Sequence, residues 1–483
     1  MLGDIKPFRI IGNTYFVGTQ PASSHMIDTG DGLILIDTGY AHTADVVVES
    51  VTELGFNICD VKYIIHSHGH YDHTGGTEKI VALSGAKTFL AKEDCKYVVG
   101  FEPDYDLKDG DIIKLGKTEI LCLRTPGHTE GTVSLFWNEE EDGKVYRLGT
   151  FGGAGTAQVR KDYLNRCNCS YLNRGLFFES IERLKREHVD VFIGNHAGQN
   201  NTRENSEIMR RTGINPFIDD TKWLAFLEKV EASLESKFIK DSREYFVNYA
   251  HRGASEYAPE NTFSAFHMGA MMGANGIETD VQMTKDGVLV LFHDDTIERL
   301  TGEKGSVSDY TLEELKKFTF EKNGFTGKIA VFEEFLKQFG MRTIELAIEI
   351  KQAGIEKKVV DMICKYDCLK KVIVTSFMFD SIKKVKEYAP NIRVGCLVKT
   401  VDDAILAQLR ESKVDELCPL AEEVTDSNVH KWHRMGFNVR AWGVKNEELM
   451  RRVYDSMADG MTVNFPDKLT RYIEEKNSES CEK

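Results

Sequence analysis

The chain has 483 residues with a formal net charge of -15, 41% hydrophobic and 28% charged residues and 9 prolines. Domains cluster at about 100 to 200 residues and barrels reach about 250, so one core is excluded and two domains are expected. The acidic balance argues against nucleic acid as a partner, because tracking a phosphate backbone takes many Lys and Arg, and no solenoid repeat or low-complexity segment is present.

The opening Met1-Leu-Gly-Asp-Ile-Lys-Pro7 has no apolar signal core, and no run of about 18 uncharged apolar residues follows, so neither export nor stable membrane insertion is expected. Ten cysteines show no framework spacing, and the close pair Cys167 and Cys169 reads as ordinary thiols, which points to a reducing, cytoplasmic setting.

In chain order, residues 9–37 alternate β-rich runs with turns, an amphipathic helix is predicted over 43–54, and 61–65 reads as a buried strand. Directly after it comes His66-Ser-His-Gly-His-Tyr-Asp-His73, on a loop leading into a helix that begins near Gly75-Gly76. Further strands are predicted over 119–123, 133–137, 145–148 and 189–193, with the acidic run Glu139-Glu-Glu-Asp142 as a solvated hairpin turn. A helix over 221–236 closes the first domain, 1–236, and the charged stretch 237–245 is the predicted linker.

Six residues of this half have the chemistry and spacing to hold two adjacent cations: His68, His70, Asp72, His73, His128 in Thr125-Pro-Gly-His128, and His196 in Gly194-Asn-His196. Neutral imidazole and carboxylate suit Zn²⁺, and three protein ligands per ion leave positions where water can lose a proton near neutral pH. By contrast, the isolated His25, His188, His267 and His430 read as surface or packing residues.

The second domain, 246–483, shows short apolar strands separated by helices, at 247–250, 276–281, 288–292, 343–350, 372–375, 394–397, 416–418, 438–442 and 460–463. Such βα repetition predicts a closed parallel barrel; nine candidates for eight places make 288–292 a hairpin arm. His251, His293 and Glu349 fall at strand C-termini, where barrel enzymes place their chemistry. Glu278 and Asp280, two apart on one strand, face the same side, and Glu349 approaches from a neighbouring strand, so the three form an oxygen-rich cage for one Mg²⁺ or Ca²⁺.

The first ligand set, with Leu35-Ile-Asp37-Thr-Gly39 ahead of it, resembles the metallo-β-lactamase fold superfamily over about residues 5–236, an αββα sandwich. The resemblance implies two Zn²⁺, one on His68, His70 and His128 and one on Asp72, His73 and His196, with Asp72 also counted as catalytic. Where most hydrolases of the superfamily carry a bridging Asp, this chain reads Arg147-Leu-Gly-Thr150-Phe, so it is most similar to the lactamase subclass with His₃ and Asp-His-His sets; Leu54-Gly-Phe56 and Ser84-Gly-Ala86-Lys agree. A small ester or phosphodiester is the expected substrate. The alternatives are a β-lactam hydrolase and a non-catalytic, metal-stabilised binding or dimerisation module.

His251-Arg-Gly, Pro259-Glu-Asn-Thr262, Glu278-Thr-Asp280, His293-Asp-Asp295 and Glu349-Ile-Lys351 together resemble the glycerophosphodiester phosphodiesterase family over about residues 246–475, with Ser376-Phe377, Trp442 and residues 459–466 extending the likeness. The resemblance implies a (β/α)₈ TIM barrel that cleaves glycerophosphodiesters to glycerol 3-phosphate and an alcohol. His251 and His293 flank the phosphorus as acid and base, Arg252 and Lys351 add positive charge at the substrate, Trp442 either lines the pocket or packs in the core, and residues 295–328 form a small insertion at the pocket mouth. Ala347 stands where the family often has Asn; Glu260 and Asn261 have two readings, contact with the site and, preferred, a cap on the following helix by Asn261 or Thr262. The partner is a small molecule, and the composition leaves room for a homo-oligomer.

Overall fold

All four side chains of Leu33–Ile36 are buried in the computed structural model, which describes residues 5–167 and 169–481. A strand with both faces dry lies in a sheet covered on both sides. Leu33–Ile36 is the fourth strand of seven, in the order Phe8–Ile11, Thr14–Phe16, His25–Asp28, Leu33–Ile36, Val61–Ile65, Lys87–Leu90 and Tyr105–Asp106. Alternation sorts the side chains: Ile34 and Ile36 join Phe16, Ile27 and Ile65 between the sheets, while Leu33 and Leu35 join Val47, Val51 and Ile80 of the helices Ala44–Glu53 and Thr77–Ser84.

The facing sheet has five strands, ordered Val191–Phe192, Lys144–Thr150, Val133–Glu141, Thr118–Arg124 and Asp111–Leu115. It gives Ile120, Leu135, Trp137 and Leu148 to the shared core, while Phe136 and Phe192 on its other face meet Trp223 of the helix Thr221–Glu244. The layers are therefore the αββα sandwich expected.

The hairpin turn expected over the acidic run is present but narrows to Asp142-Gly143, between the antiparallel strands Val133–Glu141 and Lys144–Thr150. Glu139, Glu140 and Glu141 lie in the strand Val133–Glu141. Glu139, 6% exposed, accepts the Thr14 hydroxyl at 2.8 Å and the Asn13 amide at 2.9 Å, and Glu141 accepts the Gly12 amide at 2.7 Å. The tight turn at Gly12, φ +53, leaves backbone donors that these two carboxylates satisfy, so Glu139 and Glu141 stitch the second sheet to the first while Glu140 faces water.

In the second half, Val247–His251, Gly276–Met283, Glu345–Ile350, Val372–Ser376, Arg393–Val398, Glu416–Pro419, Asn438–Val444 and Gly460–Val463 run parallel, and the first pairs with both the second and the last. That closes an eight-stranded barrel. The ninth candidate, Leu289–Leu291, pairs antiparallel with Gly276–Met283 and is a hairpin arm. The insertion has a small core of its own, in which Ile297, Val307, Leu315 and Phe320 pack on Val290 and Phe292.

The chain divides into two compact units, Met1–Arg160 with Asn173–Lys237 and Lys161–Leu172 with Phe238–Lys483. Residues 237–245 do not form an extended linker: the helix Thr221–Glu244 runs through almost all of them, because Phe238 is buried and Arg243 donates to the Tyr454 carbonyl at 2.7 Å. Lys161–Leu172, read from sequence as part of the first domain, belongs to the barrel unit, where Lys161 Nζ lies 2.7 Å from Asp459 and Ser170 donates to Asp415.

Candidate active sites

The first site forms where the strand Val61–Ile65 ends and the chain turns into the short helix Tyr71–Thr74. His68 Nε2 and His128 Nε2 each lie 3.1 Å from His70 Nδ1. Tetrahedral zinc, with bonds of about 2.0–2.1 Å, separates its ligand nitrogens by about 3.3 Å, so this spacing fits such an ion. Beside them Asp72 Oδ2 is 3.5 Å from His73 Nε2 and 3.9 Å from His196 Nε2, and His68 also neighbours Asp72 and His73. His73 Nε2 is buried with no hydrogen-bond partner, which suits a nitrogen that ligates. All six residues named from the sequence thus converge.

Burial, then crowding by His73, His128 and His70, holds His68 well below the usual imidazole range. Burial pushes His128 down to about 3, and burial with the neighbouring His73 lowers His196. Metal binding needs this neutral form.

Two residues to which the sequence assigned no role organise the site. Asp37 accepts the Ser67 amide at 2.8 Å, the Ser67 hydroxyl at 2.7 Å and His73 Nδ1 at 2.7 Å, which aims His73 Nε2 inward. Burial raises its carboxyl, but His73 and His66 outweigh that and hold it below the carboxylate range. Asp94 accepts the Gly69 and Gly131 amides and the Thr129 hydroxyl, tying the His68–His70 loop to the His128 loop. A Cβ on Gly131 would stand 2.4 Å from the Asp94 carboxyl carbon, so glycine is required for that approach. Asp37 had a weak signal, the turn Asp37-Thr-Gly39; Asp94 had none.

The second site sits inside the barrel. Parallel register places Asp280 beside Glu349 and Glu278 beside both His251 and Ala347. Glu278, Asp280 and Glu349 are 4%, 0% and 8% exposed, and their oxygens gather as one donor group. Burial, then Asp280 and Glu349, lifts Glu278 well above the carboxylate range; burial and Asp280 raise Glu349 to about 7. Burial also raises Asp280, but Arg252, His293 and Lys351 prevail and keep it low. Asp280 Oδ1 is buried and unpartnered. Three dry carboxylates with an orphaned oxygen fit a hard divalent cation.

His251 Nδ1 donates to Asn464 Oδ1 at 2.6 Å, leaving Nε2 3.9 Å from Glu278. His293 Nδ1 donates to Asp294 Oδ1 at 2.7 Å. Arg252 Nε lies 3.4 Å from Asp280, and Lys351 Nζ 3.0 Å from Glu349. Trp442 is half-buried, donates to the Val398 carbonyl and meets Phe377 edge-on at 5.0 Å, at the C-terminal end of the strand Val372–Ser376.

Both readings of Glu260-Asn-Thr262 are met, by different residues. Thr262 caps the helix Phe263–Met271, whereas Asn261, at φ +55, donates to Asp280 at 2.9 Å and accepts from Thr279. Glu260 also reaches the site, through Arg252 at 2.9 Å.

The two folds, each with a convergent donor cluster, define a fusion of two metal-binding hydrolase domains. A profile of the metallo-beta-lactamase superfamily matches residues 17–142 and one of the glycerophosphoryl diester phosphodiesterase family matches residues 251–468. Among curated relatives, the glycerophosphodiester phosphodiesterase of Caldanaerobacter subterraneus subsp. tengcongensis is 34% identical over 46% of this chain and 96% of its own. That of Bacillus subtilis is 30% identical over 52% of this chain and 94% of its own. Among solved structures, native FEZ-1 metallo-beta-lactamase from Legionella gormanii aligns with 28% identity and a TM-score of 0.47, covering 50% of this chain and 98% of that one. The chain belongs to the glycerophosphodiester phosphodiesterase family and carries a metallo-β-lactamase superfamily domain in its first half. It is an enzyme of phosphoric diester hydrolysis with an additional hydrolase domain.

Proposed function

We propose that the barrel hydrolyses glycerophosphodiesters to glycerol 3-phosphate and a free alcohol. The observation that carries this reading is the buried trio Glu278, Asp280 and Glu349 with His251 and His293 nearby, each imidazole held through Nδ1. One Mg²⁺ or Ca²⁺ on the trio would supply positive charge to a non-bridging phosphate oxygen. Arg252 and Lys351 add charge from the protein. Asn464 and Asp294 each hold an imidazole by its Nδ1, so the two Nε2 atoms are left to serve the substrate, one taking the proton of the attacking oxygen and the other delivering a proton to the departing alkoxide. Trp442 is assigned to the pocket wall.

The first domain is proposed to hydrolyse a small ester or phosphodiester. His68, His70 and His128 would hold one Zn²⁺ and Asp72, His73 and His196 the other, an ion pair that would supply a nucleophile from water at neutral pH. Thr150, where a bridging carboxylate would otherwise stand, favours β-lactam hydrolysis as a second reading. The substrates are small molecules, and no nucleic acid is assigned. A cytoplasmic setting is proposed with them, supported by the unbridged, buried thiols of Cys122, Cys368, Cys396 and Cys418.

The test is separate inactivation, His68→Ala and His251→Ala, assayed with glycerophosphocholine, a chromogenic phosphodiester and a cephalosporin. Glycerophosphocholine cleavage is expected to vanish only with His251→Ala. Its loss in His68→Ala alone would reverse the assignment, and turnover of the cephalosporin alone would establish the second reading.

A further inference from the structure

Glu260, His293 and Asp294 form another donor group, with ligand atoms within 4.8 Å of one another. The protein supplies a cation there. Arg299 Nε donates to Asp294 Oδ2 at 2.5 Å, Nη1 to Glu260 Oε2 at 3.0 Å and Nη2 to Glu260 Oε1 at 2.6 Å. Each carboxylate uses another contact on a residue of the barrel site: Asp294 Oδ1 accepts from His293 Nδ1 at 2.7 Å, and Glu260 Oε1 accepts from Arg252 at 2.9 Å.

We propose that Arg299 is a positioning residue of the barrel site, clamping Asp294 onto His293 and Glu260 onto Arg252. The proposal rests on the barrel reading above, in which His293 and Arg252 act on the substrate. Gln282 fixes the local backbone by donating to the Phe292 and Asp294 carbonyls, but it does not set the rotation of the Asp294 side chain. That carboxylate is 23% exposed, so water competes for its oxygens; with Oδ2 held by Arg299, Oδ1 remains on His293 Nδ1 and Nε2 remains the nitrogen left for the substrate. Arg299 itself is carried into place by the short helix Glu298–Thr301, anchored by the fully buried Ile297. Its side chain is 49% exposed, so replacing it removes no core packing. Lysine offers a point charge in place of a planar fork and cannot hold both carboxylates.

The experiment compares wild type, Arg299→Ala, Arg299→Lys, Asp294→Asn and the Arg299→Ala/Asp294→Asn double variant, as full chains with Mg²⁺, on glycerophosphocholine. Loss of the clamp is expected to lower kcat at least about tenfold with KM little changed. Added guanidinium ion should restore part of the Arg299→Ala loss, Lys should not, and the double variant should be no slower than its slower parent. Independently of turnover, ¹⁵N spectra of histidine-labelled protein should show a proton fixed on His293 Nδ1 in wild type and a mixture of Nδ1–H and Nε2–H forms in Arg299→Ala. Wild type inactive on every phosphodiester would sink the barrel reading and leave the tautomer comparison to decide on Arg299. An unchanged tautomer with kcat either retained or lost only in proportion to thermal stability overturns the clamp, and so do fully additive losses.

Discussion

Asp37 is held at φ +58, a left-handed backbone that a non-glycine residue adopts when its surroundings compel it. The compulsion is the three bonds it accepts from Ser67 and His73. Asp37→Asn leaves the shape but removes an acceptor for His73 Nδ1–H, so the imidazole loses its orientation. Zinc affinity of the first domain is expected to fall about 10- to 100-fold, read by competition with a chromophoric chelator; unchanged affinity would mean that His73 is aimed by packing alone. In the barrel, Glu349 has its folded pKa raised to about 7 from an ordinary 4.5, by burial and Asp280. The folded state then binds the proton more tightly than the unfolded chain. Its contribution is complete below about pH 4.5 and is lost as pH rises through 7, a change of at most about 3 kcal/mol by the size of that shift. In chelator-treated protein this gives a downward slope in melting temperature from pH 5 to pH 7.5, opposed by the lowered imidazoles of His251 and His128 over the same range. Glu349→Gln, which cannot ionise, should flatten that slope, and Mg²⁺ should restore stability to wild type but not to the variant. A melting temperature independent of both pH and Mg²⁺ would contradict the cage.

At the scale of elements, Glu139 and Glu140 are neighbours on one strand with opposite surroundings. Glu139 accepts from Thr14, whose hydroxyl in turn accepts the Trp137 indole N–H at 3.0 Å, and Glu140 is exposed. Glu139→Ala strands buried donors and should cost about 2–3 kcal/mol in urea unfolding, whereas Glu140→Ala should stay within about 0.5 kcal/mol; equal effects would return the run to a solvated turn. The same contrast explains what could be read beforehand. Local periodicity sufficed for Val61–Ile65, for the inward pair Glu278 and Asp280, and for Leu289–Leu291 as the surplus strand, because each pattern is contained within a few residues. The ligand histidines were legible because their side-chain chemistry is rare and their spacing dense. Glu139, Asp94 and Arg299 were not, since their partners lie elsewhere in the chain or across an insertion: Gly12 to Thr14 are more than a hundred residues from Glu139. Asn261 is ambiguous in the sequence because Asn-Thr before a helix is a capping signal, and only the left-handed backbone at Asn261 turns its amide toward Asp280.

At the scale of the whole molecule, chain order and folding unit disagree at Lys161–Leu172, a stretch flanked on both sides by first-unit chain that belongs to the barrel unit. Its anchor is Asp459, fully enclosed and serving Lys161 Nζ at 2.7 Å, His433 Nε2 at 2.7 Å and the Val439 amide at 2.7 Å. Burial alone would raise this carboxyl, but Lys161 and His433 outweigh it and hold it below the ordinary range. A depressed folded pKa adds stability that is complete above the unfolded value of about 4 and is lost progressively as pH falls from there through the lower folded value. Lys161→Met keeps most of the side-chain volume and removes the cation. Breaking one partner of a buried pair leaves the other charge uncompensated, so the barrel transition should lose about 3 kcal/mol at pH 7. A barrel produced from residue 238 onward lacks the whole stretch and should unfold at lower denaturant than the barrel transition of the intact chain, with the Asp459→Asn change recovering part of the difference. If that fragment is as stable as the barrel within the full chain, Lys161–Leu172 is an ornament of the barrel and the two units fold as the linear sequence divides them.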